Sequence, residues 1–425
     1  MLITFRVTNF RSFKDQQEFT LVASSLKDSA ESVVPIEGLD LGLLKVAAVY
    51  GPNASGKTNL LVALYFMRNA VRDSQHSWVP DGPIPYNPFL LDEASKNAPS
   101  RFEVDLLLNR TRYNYGFVSD QAEIVEEWLY AYPQGRKQEW FYREAGVEKQ
   151  KFSFGKNLSG DNRTIEGFTR PNSLFLSAAA QYNHEQLLPV YRWFSTQLHF
   201  LNNHNRRRAR QSTIEFCRDE LRKKDLLKLL YMADLGVVGL EVKEGESAKN
   251  TVYQDIDGPF GASSKDLSAP RDAVTDFALK HRGAEGKNQT FSSRDESDGT
   301  TAYFTLLGPV LRALDAGGTL CIDELDASLH PLLALELLRL FSDNLRNPKS
   351  AQLIFNTHDT NLLDSSVLRR DQIWFTEKDH EGSTHLYPLT DFKPRKHENI
   401  ERGYLQGRYG AVPFIGTLDP LVESE

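Results

Sequence analysis

Residues Gly51-Pro52-Asn53-Ala54-Ser55-Gly56-Lys57-Thr58 fill the pattern G-x-x-x-x-G-K-[ST] without a gap. No other stretch restricts the fold so tightly. Such a loop wraps phosphate oxygens with backbone N–H groups, and it needs a helix N-terminus behind it. The flanks meet that demand. Val46-Ala47-Ala48-Val49-Tyr50 reads as a short buried strand, and the run from Asn59 to Met67 reads as a helix. The expected phosphate-binding residues are therefore Asn53, Ala54, Ser55, Gly56, Lys57, Thr58 and Asn59. Lys57 is expected to reach the β- and γ-phosphates of a nucleotide, and the Thr58 hydroxyl to bind Mg²⁺.

A second segment fits the same chemistry. Thr319-Leu320-Cys321-Ile322 is an apolar strand that ends in Asp323-Glu324. Two adjacent carboxylates at the end of a buried strand are costly unless a cation or phosphate chemistry uses them. Asp323 sits where a Walker B aspartate holds Mg²⁺, and Glu324 can polarise an attacking water as general base. Farther on, Gln352-Leu353-Ile354-Phe355-Asn356-Thr357-His358 is another apolar strand ending in polar residues. His358 can sense a γ-phosphate or help place the water, or it can cap the next helix. Between these elements, Ser297-Asp298-Gly299-Thr300 opens a helix-like run to Leu314. A Ser-x-Gly turn there presents N–H donors to a phosphate, including one held by a second subunit.

These strand–helix alternations place the nucleotide elements at the two ends of a 425-residue chain. Between them, 102–108 with 113–118 reads as a hairpin across Asn109-Arg110, and 128–132 with 140–143 as another. The middle, from about 185 to 290, reads as helices, such as Thr213 to Leu235, with polar connections. No long heptad run suggests a coiled-coil arm. No apolar run approaches the ~20 residues of a membrane helix. The opening residues alternate like a strand and not like a signal peptide. Two distant cysteines, Cys217 and Cys321, fit a reducing compartment, so a cytoplasmic protein is expected. A net charge of -7 gives no global attraction to nucleic acid.

The order of phosphate loop, Ser-x-Gly helix, Asp-Glu strand, Asp326-Ala327-Ser328-Leu329-His330-Pro331 and strand–His358 resembles ABC-type ATPases of the SMC, RecF and OLD group. Within it, the chain is most similar to bacterial OLD/AbiL-like AAA ATPases. Further matching stretches are Phe5-Arg6-Val7-Thr8-Asn9-Phe10-Arg11-Ser12-Phe13 and the tail from Tyr404 to Pro413. The resemblance implies an α/β fold: an ABC-type P-loop NTPase core with a β-rich N-terminal lobe and an inserted, mainly helical region. The division expected is 1–184 for the loop and lobe and 185–290 for the insertion. The rest of the ATPase would occupy 291–390, with a tail at 391–425.

The resemblance also implies ATP and Mg²⁺ as ligands and hydrolysis as the reaction. Ser297, Gly299 and Thr300 would touch the γ-phosphate of a neighbouring subunit, in a homodimer or higher homo-oligomer built on ATP-sandwich faces. Asp326 to His330 would communicate between two sites, and His358 would be the switch histidine. Gln181 is the candidate for the glutamine that links the lobes and meets the metal. The acid in Ser297-Asp298-Gly299 departs from the group's glycine-rich turn and implies slow turnover. Relatives of this kind sit beside nuclease-like or toxin-like effectors in phage-defence loci, so such a partner is expected. A DNA-repair ATPase and an ATP-stabilised scaffold are the rival readings. Asn205-Arg206-Arg207-Arg208-Ala209-Arg210 can bind nucleic acid or form a solvated helix start. Arg402, Arg408 and Tyr409 can dock the tail on the core or on a partner.

Overall fold

The computed structural model describes the chain apart from residues 27, 37–41, 147–150, 203–204, 234, 244–275, 284–285, 328, 365 and 414–425. Strands β1 (Leu2–Thr8) and β2 (Gln17–Thr20) come first. The short pair β3 (Val33–Val34) and β4 (Leu43–Leu44) leads into β5 (Val46–Tyr50), the glycine loop and helix α1 (Lys57–Asp73). After the single turn α2 (Glu93–Lys96) come β6 (Ser100–Leu108), β7 (Thr111–Ser119), β8 (Ile124–Tyr132), β9 (Gln138–Glu144) and β10 (Lys151–Phe154). Helices α3 (Asn162–Phe168), α4 (Phe175–Gln181) and α5 (Leu188–Arg192) carry the chain to β11 (Leu198–Leu201). Next come α6 (Arg206–Phe216), α7 (Glu220–Met232), β12 (Val237–Lys243), β13 (Asp276–Arg282) and β14 (Asn288–Ser292). The last part holds α8 (Asp298–Ala316), β15 (Thr319–Ile322), α9 (Pro331–Ser342), β16 (Gln352–Asn356), β17 (Ile373–Lys378), β18 (Thr384–Pro388) and α10 (Ile400–Leu405).

Two large sheets result. An antiparallel sheet runs β10-β9-β8-β7-β6-β1-β2, and a mainly parallel one runs β11-β15-β16-β5-β17-β18. The expected hairpin across Asn109-Arg110 forms, because both residues take positive φ, 47° and 63°, as a two-residue hairpin turn requires. The second expected hairpin is the β8–β9 pair. β5 is covered on both faces, as its continuous apolar run demands. Ala47 and Val49 join a core shared with α1 and the antiparallel sheet, whereas Val46, Ala48 and Tyr50 join a second core under α8 and α9. Helix α1 fills the space between the sheets with Leu60, Leu64, Met67 and Val71, spaced at three to four residues.

Among the described residues of the middle zone, strands accompany the helices. β11 pairs in parallel with β15 and so belongs to the nucleotide core. β12, β13 and β14 form an antiparallel sheet of their own. The helix expected over Thr213–Leu235 is two helices, since the Asp219 carboxylate accepts from Leu221 N and Arg222 N and starts α7 afresh. No helix among the described residues is long and apolar enough to cross a membrane.

Helix α8 is broken and mended at one point. Pro309 cannot donate to the Thr305 carbonyl four residues back. The Thr213 hydroxyl of α6 lies 3.0 Å from that carbonyl and 3.0 Å from Ala209 O, sharing its one proton between them, and its oxygen accepts from Gly308 N at 3.2 Å. A Cβ on Gly308 would come within 2.2 Å of the Thr213 hydroxyl and 2.6 Å of its Cα. Gly→Ala inside a helix ordinarily stabilises by roughly 0.5–1 kcal/mol. Here the sign reverses. Gly308→Ala should destabilise the protein by about 1–3 kcal/mol through overpacking, read as a lower midpoint in urea unfolding. An unchanged or raised midpoint would contradict the α6–α8 contact.

Candidate functional site

The glycine loop sits between β5 and α1 as the pattern requires. Gly56 stands at φ 109°, and a Cβ there would meet the Thr384 hydroxyl at 2.3 Å, so glycine is needed on both counts. Asn53 and Ala54 are exposed at the loop's crest, while Ser55, Gly56 and Lys57 are buried. The loop is buttressed from the β17–β18 hairpin. The Ser55 and Thr376 hydroxyls lie 2.6 Å apart, and the Thr384 hydroxyl donates to Ser55 O at 2.8 Å. At the start of α1, Asn59 donates to the Ser12 hydroxyl at 2.7 Å and accepts from Arg11 at 3.3 Å. Sequence reasoning gave no role to Thr376, Thr384, Ser12 or Arg11. Only the position of Arg11 and Ser12 within the Phe5–Phe13 stretch hinted at one.

Lys57 Nζ lies over the loop and donates to Gly51 O at 2.7 Å and Pro52 O at 2.9 Å. Burial pushes its ammonium down to about 8, against the opposing pull of Asp323, Asp326 and Glu324. The Thr58 hydroxyl donates to Asp323 Oδ1 at 2.9 Å. The parallel β5–β16–β15 pairing makes this meeting possible, since all three strands end at the same edge.

Asn356 ties the acidic strand end together. Its Nδ2 donates to Asp323 Oδ1 at 2.5 Å, and its Oδ1 accepts from Glu324 N at 2.5 Å. Its carbonyl accepts from Leu325 N at 3.1 Å. Glu324 takes a left-handed backbone, φ 56°, which costs a side chain of its kind roughly 1–3 kcal/mol. The Asn356 bonds hold that conformation. Burial raises the Asp323 carboxyl above its ordinary value, with Glu324 adding to the effect and Asn356 and Thr58 opposing it. A partly buried carboxylate with a raised proton affinity suits a site that receives a cation.

Asp326 grips the other strand end. Its carboxylate accepts from the Thr357 hydroxyl at 2.7 Å and from His358 N at 3.2 Å. His358 is exposed, and desolvation together with the Lys57 charge lowers its imidazole below the ordinary value, so the neutral ring dominates near pH 7. His330 caps α9 by accepting from Leu332 N. Ser328 lies outside the described residues.

The structure thus brings together Lys57, Thr58, Asp323, Glu324 and the His358 loop. Ser297, Gly299 and Thr300 lie at the start of α8, and Ala302, one residue beyond Thr301, lines a small cavity with Asp323 and Glu324. Ser297 is the N-cap of α8, accepting from Thr300 N at 3.1 Å, and is exposed. Gln181 is not brought to the site. Its helix, α4, docks beyond the far end of α1, where Gln75 N donates to Ser177. With the rise of an α-helix, that end is about 25 Å from Lys57. In the basic cluster at the start of α6, Arg207 is exposed. Arg206 donates to Ala327 O at 2.9 Å, and Arg210 pairs with Asp276 and Ser293, so two of its arginines brace the fold. Among the described residues no group of three His, Cys, Asp or Glu could hold a metal ion. A hard cation beside Thr58 and Asp323 would therefore take its remaining ligands from phosphate and water.

A strand-end acid pair facing a glycine loop and its lysine defines a P-loop nucleotide site on an α/β core. The chain belongs to the AAA_21 family, described as "AAA domain, putative AbiEii toxin, Type IV TA system", whose model matches residues 46–364. Three SMC heads are among the similar solved structures. The "SMC head domain from Thermotoga maritima" is 13% identical, with 91% of this chain and 98% of that chain covered and a TM-score of 0.40. The "SmcHead bound to the C-winged helix domain of ScpA" is 11% identical, with 91% and 96% covered and a TM-score of 0.44. The Smc head "with an extended coiled coil bound to the C-terminal domain of ScpA derived from Pyrococcus furiosus" is 12% identical, with 92% and 97% covered and a TM-score of 0.35. No curated protein matches the chain.

The lowered Lys57 pKa has a measurable consequence. A phosphate beside the ammonium favours its charged form and raises its pKa. Nucleotide binding should therefore take up a proton at about pH 8.5, and affinity should fall as pH rises through about 8. Calorimetry in two buffers of different ionisation enthalpy checks this. Lys57→Arg, which stays charged, should bind without that uptake. Proton-neutral binding by the native chain would contradict it.

Proposed function

We propose that this chain is an ABC-type ATPase of the cytoplasm that binds and hydrolyses ATP with Mg²⁺. Its ATP cycle would control a partner effector, nuclease-like or toxin-like, in bacterial anti-phage defence. The observation that carries the catalytic part is the Thr58–Asp323 hydrogen bond, which joins the phosphate loop to the acidic strand end. Thr58 and Asp323 would hold Mg²⁺, which supplies charge neutralisation at the phosphates. Lys57 would leave the Gly51 and Pro52 carbonyls for the β- and γ-phosphates. Glu324, fixed by Asn356, would take the proton of the attacking water, and neutral His358 would orient that water or the γ-phosphate. Arg11, Asn59, Tyr86 and Leu91 line an open cleft beside the loop that would receive the nucleoside. The defence part rests on the family description, which names an AbiEii toxin and a toxin–antitoxin system.

Ser297 and Asp298, exposed at the start of α8, support a sandwich of two copies. Ser297, Gly299 and Thr300 would cover the γ-phosphate held by the neighbour, and the same patch would be used twice. Asp298 beside them would repel phosphate and slow the reaction. A DNA-repair ATPase is the weaker reading, because Arg206 and Arg210 are engaged within the fold and the net charge is -7.

Complementation tests the proposal. Lys57→Ala and Gly299→Asp should each abolish ATP hydrolysis alone. Mixed, they form one composite site that joins the intact Lys57 of one variant to the intact Gly299 of the other. ATPase activity should then return in part. Hetero-oligomers with no recovered activity would sink the shared-site arrangement.

A further inference from the structure

The tail of the chain lies behind the phosphate loop. The Tyr404 ring of α10 stacks on Phe375 of β17, with centroids 5.5 Å apart and planes 11° apart. It also meets Tyr50 edge-on at 6.0 Å. Tyr50 is the last residue of β5, directly before Gly51. The chain then folds back on its own helix. The Tyr404 hydroxyl donates to Ala411 O at 2.9 Å, and Ala411 N donates to Glu377 Oε2 at 3.1 Å. Gly403 makes room for the returning Tyr409, whose hydroxyl a Cβ would meet at 2.7 Å.

This anchored helix reaches one further element. Glu401 Oε1 accepts from the Thr360 hydroxyl at 2.8 Å. Thr360 lies two residues after His358. The Tyr50 hydroxyl donates to Asp359 O at 3.3 Å. Residues 357–360 are thus held from two sides. Asp326 grips Thr357 and His358 from the acidic strand end, and Tyr50 and Glu401 grip Asp359 and Thr360 from the tail. Tyr404 stacks on Phe375 and Ile400 is buried, so apolar packing also seats α10. The Glu401 carboxylate is half-buried. What its bond to Thr360 adds is a fixed position for the loop that carries His358.

We propose that Glu401 is a positioning residue for hydrolysis: the docked tail sets the His358 loop against the phosphate site through the Glu401–Thr360 bond. The inference rests on the ATPase reading above. It assigns the tail a part in turnover and none in nucleotide binding, since no tail residue reaches the loop 51–58 by a side-chain bond among those described here.

The test uses the full chain and two variants. In nucleotide-free Glu401→Ala, amides of 357–363 should exchange with deuterium about tenfold faster, while those of β5 and α1 stay at native rates. The same variant should lose about fivefold in kcat with ATP affinity within about twofold, the mark of a contact that acts in the chemical step alone. Glu401→Gln should recover most of both, because its amide oxygen still accepts from Thr360. Native exchange at 357–363 and native kcat in Glu401→Ala would overturn the inference. So would a parallel loss of affinity and kcat with faster exchange throughout β5, which would make the tail a structural brace only. If the wild-type chain binds ATP without turning it over, the ATPase reading fails, while the exchange data still decide whether Glu401 holds the loop.

Discussion

The side-chain amide of Asn356 is the interaction on which the site depends. One small group satisfies the Asp323 carboxylate and the Glu324 N–H at once. Without it, two acids would stand side by side at the end of a buried strand, one of them on a left-handed backbone, and both effects are costly. With it, Asp323 meets the Thr58 hydroxyl and the Glu324 backbone is fixed beside it. The bond exists because β15 and β16 run parallel and in register, so Ile322 pairs with Phe355 and the residues beyond them meet. Fold and site are linked at this point.

Strand β17 does a similar job on the other side of the loop. Its alternation sends Thr376 toward the phosphate loop, where it meets Ser55 and Tyr50 O. Phe375 and Glu377 go the opposite way and hold the tail. A single strand therefore braces the loop with one face and receives α10 with the other. The loop, the acidic strand end and the His358 loop form one connected body through Tyr50, Asp326 and Asn356.

Much of this was legible in the sequence, and the reason is local chemistry. Glycines with a lysine and a threonine at fixed spacing have few other uses, so the 51–58 loop and its flanks were readable. The apolar strand ending in Asp323-Glu324 was readable because buried acids need an explanation. The hairpin at Asn109-Arg110 was readable from its alternating flanks. What escaped was set by tertiary neighbours. Asn356, Thr376 and Thr384 are ordinary polar residues whose work appears only when distant strands meet. Gln181 looked suitable by type, but its helix docks at the wrong end of α1. The arginines of α6 read as a binding patch or a solvated helix start, and the partners of Arg206 and Arg210, Ala327 and Asp276, could not be read from sequence. Strand β11 was missed because its pattern is only four residues long, too short to separate from a helix by period.

The central claim is that the loop and the two strand-end acids form one hydrolytic Mg²⁺–ATP site. Glu324→Gln tests it most directly, because the change removes the base and leaves Thr58, Asp323 and the Asn356 bond to the backbone in place. The measurement is ATP binding together with single-turnover hydrolysis, with and without Mg²⁺. The account predicts Mg²⁺-dependent binding like that of the native chain, with hydrolysis slowed by about 100-fold or more. Hydrolysis at the native rate in this variant, or native ATP binding indifferent to Mg²⁺, would contradict it.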